Sequence, residues 1–291
     1  MISIIITAYK EEKTIKKTID SIEDQKFEKH ETIVIAPDNG TLNVARKLKK
    51  TNPNLRVIKD SGDGKPLALN LAVSKSQGDI LILTDGDVYL GKNSIDHLIK
   101  PFKNPKIGAV TGRPISEDSK KNMFGFWGHI LSDTAHERRK KAKKNQKRFF
   151  CSGYLFAIRK KLFPSLKEEL LSEDGYISHK VYLKGYKIDY SPESIVYIKY
   201  PTNFKDWINQ KKRSAGGYNQ IKKMEGVEIR SFKKESMGSF KLLRYPGNLR
   251  EFSYLFKLFI ARIYLWYVIY RDINIKKKTH KELWVRIEST K

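Results

Sequence analysis

The chain has 291 residues, of which 40% are hydrophobic, and this is enough apolar material to bury a sizeable core. A disordered chain is therefore not expected. Lysine and arginine number 58 against 32 acidic residues, so the formal net charge is +26. Such a charge favours anionic partners, and nucleic acid, an acidic membrane surface, a lipid phosphate and a nucleotide sugar all meet this condition. The single cysteine, Cys151, excludes a disulfide within the chain.

The first part of the sequence alternates short apolar runs with helical patterns. Ile2 to Thr7 is a continuous, mostly β-branched run, typical of a strand buried on both faces of a parallel sheet. Ile15, Ile19 and Ile22 follow at helical spacing, and residues 31–36 repeat the strand pattern. The further predicted elements are a helix over 41–50, a strand over 55–58, a helix over 66–76 and a strand over 79–84. This alternation predicts a doubly wound α/β domain.

The regular alternation fades after about residue 115. Residues 138–148 are almost entirely basic, and we interpret them as a solvated loop that could attract a phosphorylated acceptor. From residue 226 onward a basic linker leads into an aromatic and apolar stretch over 252–270. Because no charged and apolar leader precedes the first strand, a cytoplasmic location is expected.

Two aspartates, Asp85 and Asp87, directly follow the predicted strand over 79–84, with Gly86 between them. Ligands of doubly wound sheets bind at the carboxyl ends of the strands, so these side chains are candidates to hold a hard divalent cation. Such a cation could bridge the phosphates of a nucleotide and neutralise the leaving diphosphate. A solvated turn is the alternative, because aspartate and glycine are common turn residues.

A second acidic pair, Glu173 and Asp174, follows Ser172 at the start of a helical pattern. One of these carboxylates could act as a general base toward an acceptor hydroxyl. The alternative is a structural one, in which Ser172 caps the helix and the two acids occupy its first turn, where the helix dipole favours negative charge.

The order and spacing of these motifs resemble the family 2 glycosyltransferases over residues 2–215. Residues 3–12 are similar to the first strand and Tyr-Asn-Glu-Glu turn of that family, with Lys10 in place of the usual asparagine. Residues 64–70 resemble its Gly-Lys…Ala-Leu-Asn segment, and residues 83–87 its metal motif. The resemblance implies an α/β fold of the GT-A type, a Rossmann-like and mostly parallel sheet flanked by helices, here with a C-terminal helical extension.

The resemblance continues on the acceptor side. Residues 151–159 resemble the family's acceptor-side segment, and residues 172–174 followed by 185–187 resemble its acidic base motif and the turn after it. Residues 210–214 resemble the Gln-x-x-Arg-Trp motif of the processive, membrane-associated members. Ser214 stands in place of the tryptophan, so the resemblance does not extend to processive polymerisation. A solvated basic helix face is the alternative for this last segment.

The resemblance implies an inverting, metal-assisted transfer of a sugar from a nucleotide diphosphate donor to an acceptor hydroxyl, in cell-surface glycan or glycolipid synthesis. Asp174 is the expected base, and Asp87 with Asp85 is expected to hold Mg or Mn. The expected donor-binding residues are Thr7, Ala8, Tyr9, Glu11, Asp38, Lys65, Asp85 and Arg213, and the expected acceptor-side residues are Ser152, Gly153, Glu173 and Gln210.

The resemblance also suggests three regions. Residues 1–115 would bind the nucleotide sugar, residues 116–225 would bind the acceptor and supply the base, and residues 226–291 would form a basic and aromatic helical extension. The expected partners are a nucleotide-diphosphate sugar and a glycan or lipid-linked acceptor, and no nucleic acid is expected.

The stretch over 252–270 raises the question of a membrane. Lys257 and Arg262 interrupt it, and a charge near mid-bilayer costs at least about 2.5–3.5 kcal/mol, so a spanning helix is disfavoured. Its tyrosines and Trp266 beside basic residues suit a helix at the interface of an anionic membrane, with the protein peripheral at the inner face of the cell membrane. A core helix or an oligomer interface is the alternative.

Two other functions were weighed. A sugar nucleotidyltransferase also combines an α/β nucleotide fold with a metal, but it should have a glycine-rich phosphate loop where this chain has Thr7 to Glu12. A non-catalytic basic module for nucleic acid or membranes would suit the net charge. Carboxylates clustered at strand ends argue against such a module, because without a metal they would repel phosphate.

Overall fold

The computed structural model describes residues 1–290 apart from 26, 28, 227–238, 277, 279 and 284. The described residues form an eight-stranded sheet with helices packed on it. The strands are β1 (Ile2–Thr7), β2 (His30–Ala36), β3 (Leu55–Lys59), β4 (Ile80–Asp85), β5 (Tyr89–Leu90), β6 (Ile107–Ser116), β7 (Leu155–Arg159) and β8 (Lys187–Ile198). The helices are α1 (Ile15–Glu23), α2 (Asn39–Lys49), α3 (Lys65–Lys75), α4 (Ser94–Ile99), α5 (Met123–Lys144), α6 (Glu173–Leu183), α7 (Phe204–Glu225), α8 (Leu249–Tyr270) and α9 (His280–Leu283).

The strand order across the sheet is β3-β2-β1-β4-β7-β6-β8-β5. Strands β1 to β4 pair in parallel, as do β6 and β8, whereas β7 runs antiparallel to both of its neighbours. Every residue of β1 is buried, because helices cover both faces of the sheet there. In the register of β1 with its neighbours, Thr7 lies beside Ile35 and Asp85, so the carboxyl ends of β1, β2 and β4 meet at one edge. The expected mostly parallel α/β fold is confirmed.

The interpretation of residues 138–148 as a solvated loop is wrong for most of the run. Residues 138–144 are the last two turns of α5, which is anchored at its other end by the buried side chains of Phe126, Trp127 and Ile130. Lysines and arginines are favourable at the carboxyl end of a helix, because the helix dipole places partial negative charge there. The basic composition is therefore compatible with a helix, and it does not by itself indicate a loop.

Helix α8 packs one face against α5 and α7. Its buried residues include Leu255, Leu258 and Leu265, and the Trp127 indole donates a hydrogen bond of 2.8 Å to the Tyr254 carbonyl. The opposite face is exposed and apolar. Its exposed apolar and aromatic residues include Phe252, Phe256, Ile260, Ile263, Tyr264, Tyr267 and Tyr270, and Ser253 and Lys257 are exposed beside them. In the part of the chain that the structure describes, α8 is the one helix that could cross a membrane, judged by length and composition alone.

A buried ion cluster joins α7 to the turn that follows α8. The carboxylate of Asp272 is fully buried and lies 3.1 Å from Lys212 of α7, 3.2 Å from Lys278 and 3.0 Å from Arg271. Burial alone would raise the pKa of Asp272, but hydrogen bonds from these three cations outweigh it and hold the pKa at about 2. The cluster fixes the position of α7, which also carries Arg213.

Candidate active site

A cavity of about 1230 Å³ opens at the carboxyl ends of β1 and β4. Pockets for one small molecule usually measure about 300–1,000 Å³, so this cavity has room for two substrates. Its wall contains Thr7, Ala8, Tyr9, Glu11, Lys65, Asp85, Asp87 and Arg213 from the predicted donor and metal groups, and Ser152, Gly153, Glu173, Asp174 and Gln210 from the predicted acceptor and base groups. Two sets of residues that are far apart in the sequence therefore face one cavity.

Lys65 lies between two carboxylates of this wall. Its Nζ is 2.6 Å from Asp85 Oδ1 at the end of β4 and 2.7 Å from Glu173 Oε1 at the start of α6. Burial would lower the pKa of Lys65, but the charges of the two carboxylates outweigh this effect and hold the pKa well above its usual value. Lys65 was expected to contact a phosphate, and in the structure its charge is engaged by Asp85 and Glu173.

Gly86 lets the loop with the two aspartates lie directly against the end of β1. A Cβ at this position would come within 2.7 Å of the Ala8 Cβ, and the Gly86 amide donates a hydrogen bond of 2.9 Å to the Thr7 carbonyl. A larger residue would push Asp85 and Asp87 away from β1, so the glycine is required by this close approach.

The aspartate pair fits a cation only if other ligands complete the coordination shell. Within the described ranges, no group of three or more His, Cys, Asp or Glu side chains is arranged to hold a metal ion. Asp85 and Asp87 supply hard carboxylate oxygens on the cavity wall, the ligand type that Mg²⁺ and Mn²⁺ prefer. The donor set therefore fits a cation whose remaining ligands are water and the oxygens of a diphosphate.

Asp174 is held by three hydrogen bonds. Its Oδ2 accepts from the Gly153 amide at 2.9 Å, and its Oδ1 accepts from the Ser172 hydroxyl at 2.7 Å and from the Gly175 amide at 2.8 Å. Burial raises the pKa of Asp174 and the charge of Glu173 raises it further, while the hydrogen bonds from Ser172 and Gly175 and the charge of Lys65 offset part of the shift. Ser172 does precede α6, but its hydroxyl bonds Asp174 and does not cap the helix.

Asp38 is the one predicted donor residue that is not on the wall of this cavity. It is the N-cap of α2, where its Oδ1 accepts from the Thr41 amide at 2.8 Å, and its Oδ2 accepts from the Lys10 amide at 2.8 Å. Burial would raise the pKa of Asp38, but these hydrogen bonds outweigh it and lower the pKa. Lys10 has a φ of 55°, a region that asparagine tolerates better than lysine. Asp38 thus stabilises the strained turn after β1.

Part of the wall was not predicted from the sequence. The Arg286 guanidinium lies 6.0 Å from the centre of the Tyr9 ring and donates a hydrogen bond of 2.7 Å to the Lys10 carbonyl. Ile287 and Thr290 from the same segment also line the cavity. No local pattern could have indicated this contact, because the hydrogen-bonded residues are 276 positions apart.

Three further arginines, Arg138 and Arg139 of α5 and Arg262 of α8, also line the cavity. The basic run that contains the first two was visible in the sequence. In the structure both belong to α5 rather than to a loop, and both lie on the cavity wall.

Comparison with known proteins places these features in one family. A family model described as "Glycosyl transferase family 2" matches residues 3–166. The poly-beta-1,6-N-acetyl-D-glucosamine synthase of Staphylococcus aureus is 25% identical over 277 residues, which cover 92% of this chain and 64% of that protein. The chain therefore spans less than two thirds of the length of this curated relative.

Solved structures share the fold at low sequence identity. The mannosyltransferase PcManGT from Pyrobaculum calidifontis, in complex with GDP-Man and Mn²⁺, matches with a TM-score of 0.62 and 19% identity, covering 91% of this chain and 69% of that one. GalNAc-T7, in complex with UDP, GalNAc and Mn²⁺, matches with a TM-score of 0.55 and 16% identity, covering 80% and 52%. These likenesses show the fold, which is the GT-A arrangement expected from the sequence.

The ion pairs of Lys65 should be measurable as energetic coupling. We expect Lys65→Gln and Glu173→Gln each to lower the free energy of unfolding, with a coupling energy of about 0.5–3 kcal/mol between them, because the two groups are in direct contact. Urea denaturation of the wild type, the two single variants and the double variant gives this value. The exposed pair Lys16 and Asp20 on α1 is the matched control, with an expected coupling of about 0.3–0.5 kcal/mol. Purely additive effects at Lys65 and Glu173 would contradict the bridge.

Proposed function

The chain belongs to glycosyl transferase family 2, and from this premise we propose that it transfers a sugar from a nucleotide diphosphate donor to an acceptor hydroxyl with inversion. The observation that carries the proposal is one cavity whose wall holds both the aspartate pair after β4 and the carboxylate of Asp174. Cell-surface glycan or glycolipid synthesis is the proposed process, because the curated relative is named as a polysaccharide synthase.

The donor is proposed to bind at the carboxyl ends of β1 and β4, with its nucleoside near Tyr9. Asp87 and Asp85 would hold Mg²⁺ or Mn²⁺, and a cation bound there would neutralise charge on the leaving diphosphate. Arg213 lies close enough to Tyr154 to affect the pKa of that phenol, as do Asp85 and Asp87. Its planar guanidinium therefore suits a contact with the diphosphate beside the aspartates. The complexes of PcManGT and GalNAc-T7 with nucleotides and Mn²⁺ support this arrangement.

Asp174 is proposed to accept the proton of the acceptor hydroxyl as that oxygen attacks the anomeric carbon opposite the diphosphate. The Gly153 amide and the Ser172 hydroxyl fix the orientation of its carboxylate, and Oδ2 accepts only one of the three hydrogen bonds. Gln210 is proposed to contact the acceptor. Gln210 lines the cavity, and its Oε1 is buried without a hydrogen-bond partner among the described residues, so a turn of the side chain would let this oxygen accept from a sugar hydroxyl.

The division into a donor half (1–115), an acceptor half (116–225) and an extension (226–291) stays a prediction. The contacts of Lys65 support this division. Lys65 belongs to the first region, and it forms ion pairs with Asp85 of the first region and Glu173 of the second. Part of the extension lies outside the described residues.

The exposed face of α8 is proposed to lie on an anionic membrane surface, with the protein peripheral at the cytoplasmic side. Exposed apolar and aromatic side chains extend along that face from Phe252 to Tyr270, with Lys257 among them, and the chain carries a net charge of +26. Apolar contact and attraction to anionic lipid together stabilise interfacial helices. The inner face of α8 packs on α5 and α7, which favours a helix lying on the membrane over one that crosses it.

Donor binding should depend on a divalent cation and on Asp87. Asp87→Asn is expected to weaken binding of the nucleoside diphosphate in Mn²⁺ by about tenfold or more, because a charged ligand of the shared cation is lost. Titration calorimetry with UDP and GDP, in Mn²⁺ and in excess chelator, measures the effect. Asp96→Asn on α4 is the control, since Asp96 is exposed and does not line the cavity. A nucleotide affinity that is unchanged both by the chelator and by Asp87→Asn would refute the metal assignment.

Turnover should depend on ionised Asp174. Asp174→Asn is expected to lower kcat by about 10²–10⁴ and to leave nucleotide affinity nearly unchanged, because asparagine keeps the size of aspartate and lacks its basicity. The pKa of Asp174 is raised, so the wild-type rate should fall on acidification at a pH above the usual aspartate value of about 3.9. This acid limb should disappear in the variant. Turnover close to that of the wild type would exclude Asp174 as the base.

The outward face of α8 should control membrane binding. Replacing Phe256 and Ile263 by serine is expected to weaken binding to vesicles that contain phosphatidylglycerol, and added salt should weaken it further. Vesicle cosedimentation measures the bound fraction. Leu183→Ser on α6, which is 61% exposed, is the control for loss of an exposed apolar side chain elsewhere. Equal binding by the control and the α8 variant would favour a packed helix or an oligomer interface.

A further inference from the structure

Charge is unevenly distributed over the wall of the cavity. Acidic residues such as Asp85, Asp87 and Asp174 lie at the ends of β4 and the start of α6. Helices α5, α7 and α8 contribute basic residues to the wall and, within the described ranges, no aspartate or glutamate. The basic residues are Arg138, Arg139, Lys211, Arg213 and Arg262. The cavity thus has a strongly positive side built by three helices.

Arg138, Arg139 and Arg262 form what we call the helical arginine group. Arg138 and Arg139 are consecutive residues of α5, and Arg262 comes from α8, which packs against α5. Arg138 is exposed and the other two are half-buried. Among the described residues, no aspartate or glutamate oxygen lies within 4.0 Å of the guanidinium nitrogens of Arg138 or Arg139. Three positive charges therefore share one wall, and no carboxylate of the described residues forms an ion pair with Arg138 or Arg139.

The electrostatic cost of this arrangement is visible in the pKa of Arg138. The Arg138 side chain is exposed to the open cavity, but the surrounding protein removes part of its hydration and lowers that pKa, and the positive charges of Arg262 and Arg139 lower it further. Burial also lowers the pKa of Arg262. A bound anion would relieve both effects, because an opposite charge nearby favours the charged form of each guanidinium.

Arg139 of the helical arginine group lies near the proposed acceptor side of the cavity. Arg139 is close enough to Cys151 to oppose the effect of burial, which raises the pKa of that thiol to about 12. Cys151 immediately precedes Ser152 and Gly153, and the Gly153 amide bonds the proposed base, Asp174.

The positive charge on the donor side comes from another residue. Arg213 acts on Tyr154 together with Asp85 and Asp87, the proposed metal ligands. Arg213 is therefore the proposed partner of the donor diphosphate, and Arg138 and Arg139 are assigned to a second anion.

We propose that the acceptor carries a phosphate or phosphodiester group and that Arg138, Arg139 and Arg262 bind it. The proposal rests on the proposed function, because it specifies the acceptor of the same cavity. Guanidinium groups match phosphate oxygens through paired hydrogen bonds. The phosphate is a recognition group and is unchanged by the reaction. A separate hydroxyl of the acceptor forms the bond to the anomeric carbon, the bond to the diphosphate breaks, and the proton passes to Asp174.

Two kinds of acceptor would carry such a phosphate into the cavity. A lipid phosphate could reach the cavity from a membrane on the outward face of α8, the helix that carries Arg262. A soluble phosphorylated glycan or polyol could enter from solvent. Both would place a phosphate against the same arginines, so they are distinguished by the rest of the molecule.

The experiment compares two matched pairs of probes by titration calorimetry of the full chain with Mn²⁺ and the nucleoside diphosphate that binds best. Farnesyl phosphate with farnesol, in non-ionic detergent, represents the lipid source, and glycerol 3-phosphate with glycerol represents the soluble source. At least one phosphate probe is expected to bind about tenfold or more tightly than its neutral partner. The pair that shows this preference identifies the source.

The same titrations on variants test the arginines. Replacing Arg138 and Arg139 by glutamine should weaken binding of the preferred phosphate probe by about tenfold or more. Replacing Lys141 and Lys144 by glutamine removes the same charge from exposed positions of α5 that do not line the cavity, and should change it by less than about twofold.

Phosphate probes that bind no better than their neutral partners, or equal losses in both double variants, would overturn the proposal. Nucleotide binding, measured on the same preparations, separates this result from a failure of the proposed function. A chain that binds nucleotide and shows no phosphate preference contradicts the acceptor proposal alone, whereas a chain that binds no nucleotide contradicts the proposed glycosyl transfer.

Discussion

The ion pairs of Lys65 with Asp85 and Glu173 join the end of β4 to the start of α6 at the wall of the cavity. Each carboxylate lies where its strand or helix brings it to the cavity, and without a cation between them their charges would repel. Because Glu173 begins α6, the bridge also fixes the first turn of that helix, where Asp174 accepts its hydrogen bonds. The positions of the proposed metal ligands and of the proposed base are thus coupled through one side chain.

The parts of the site that the sequence predicted are those set by local pattern. Thr7 and Asp85 end buried strands, and adjacent parallel strands must bring their carboxyl ends to one edge, so their proximity follows from the alternation of elements. Asp38 also follows a buried strand, but its role at the nucleobase was taken from the resemblance, and in the structure its carboxylate caps α2 and supports the turn at Lys10. The contact of Arg286 with that turn depends on how the chain returns after α8, which no local spacing encodes.

Helices α5, α7 and α8 build the positively charged part of the cavity wall. Their mutual packing buries a separate apolar cluster, and the Asp272 cluster ties the end of α8 to α7. These contacts hold Arg138, Arg213 and Arg262 around one space, so the excess positive charge of the sequence is partly concentrated at the cavity. The same α8 has an exposed apolar face, which links the proposed membrane surface to the proposed acceptor side.

The central claim is that the aspartate pair after β4 and a nucleoside diphosphate share one cation in this cavity. A crystal structure of the protein soaked with Mn²⁺ and UDP or GDP, with data collected at the manganese absorption edge, tests it directly. The account predicts an anomalous peak between the Asp87 carboxylate and the diphosphate, with the nucleoside beside Tyr9 at the end of β1. Manganese bound elsewhere, or a diphosphate held by Arg138 and Arg139 and away from Asp87, would contradict it.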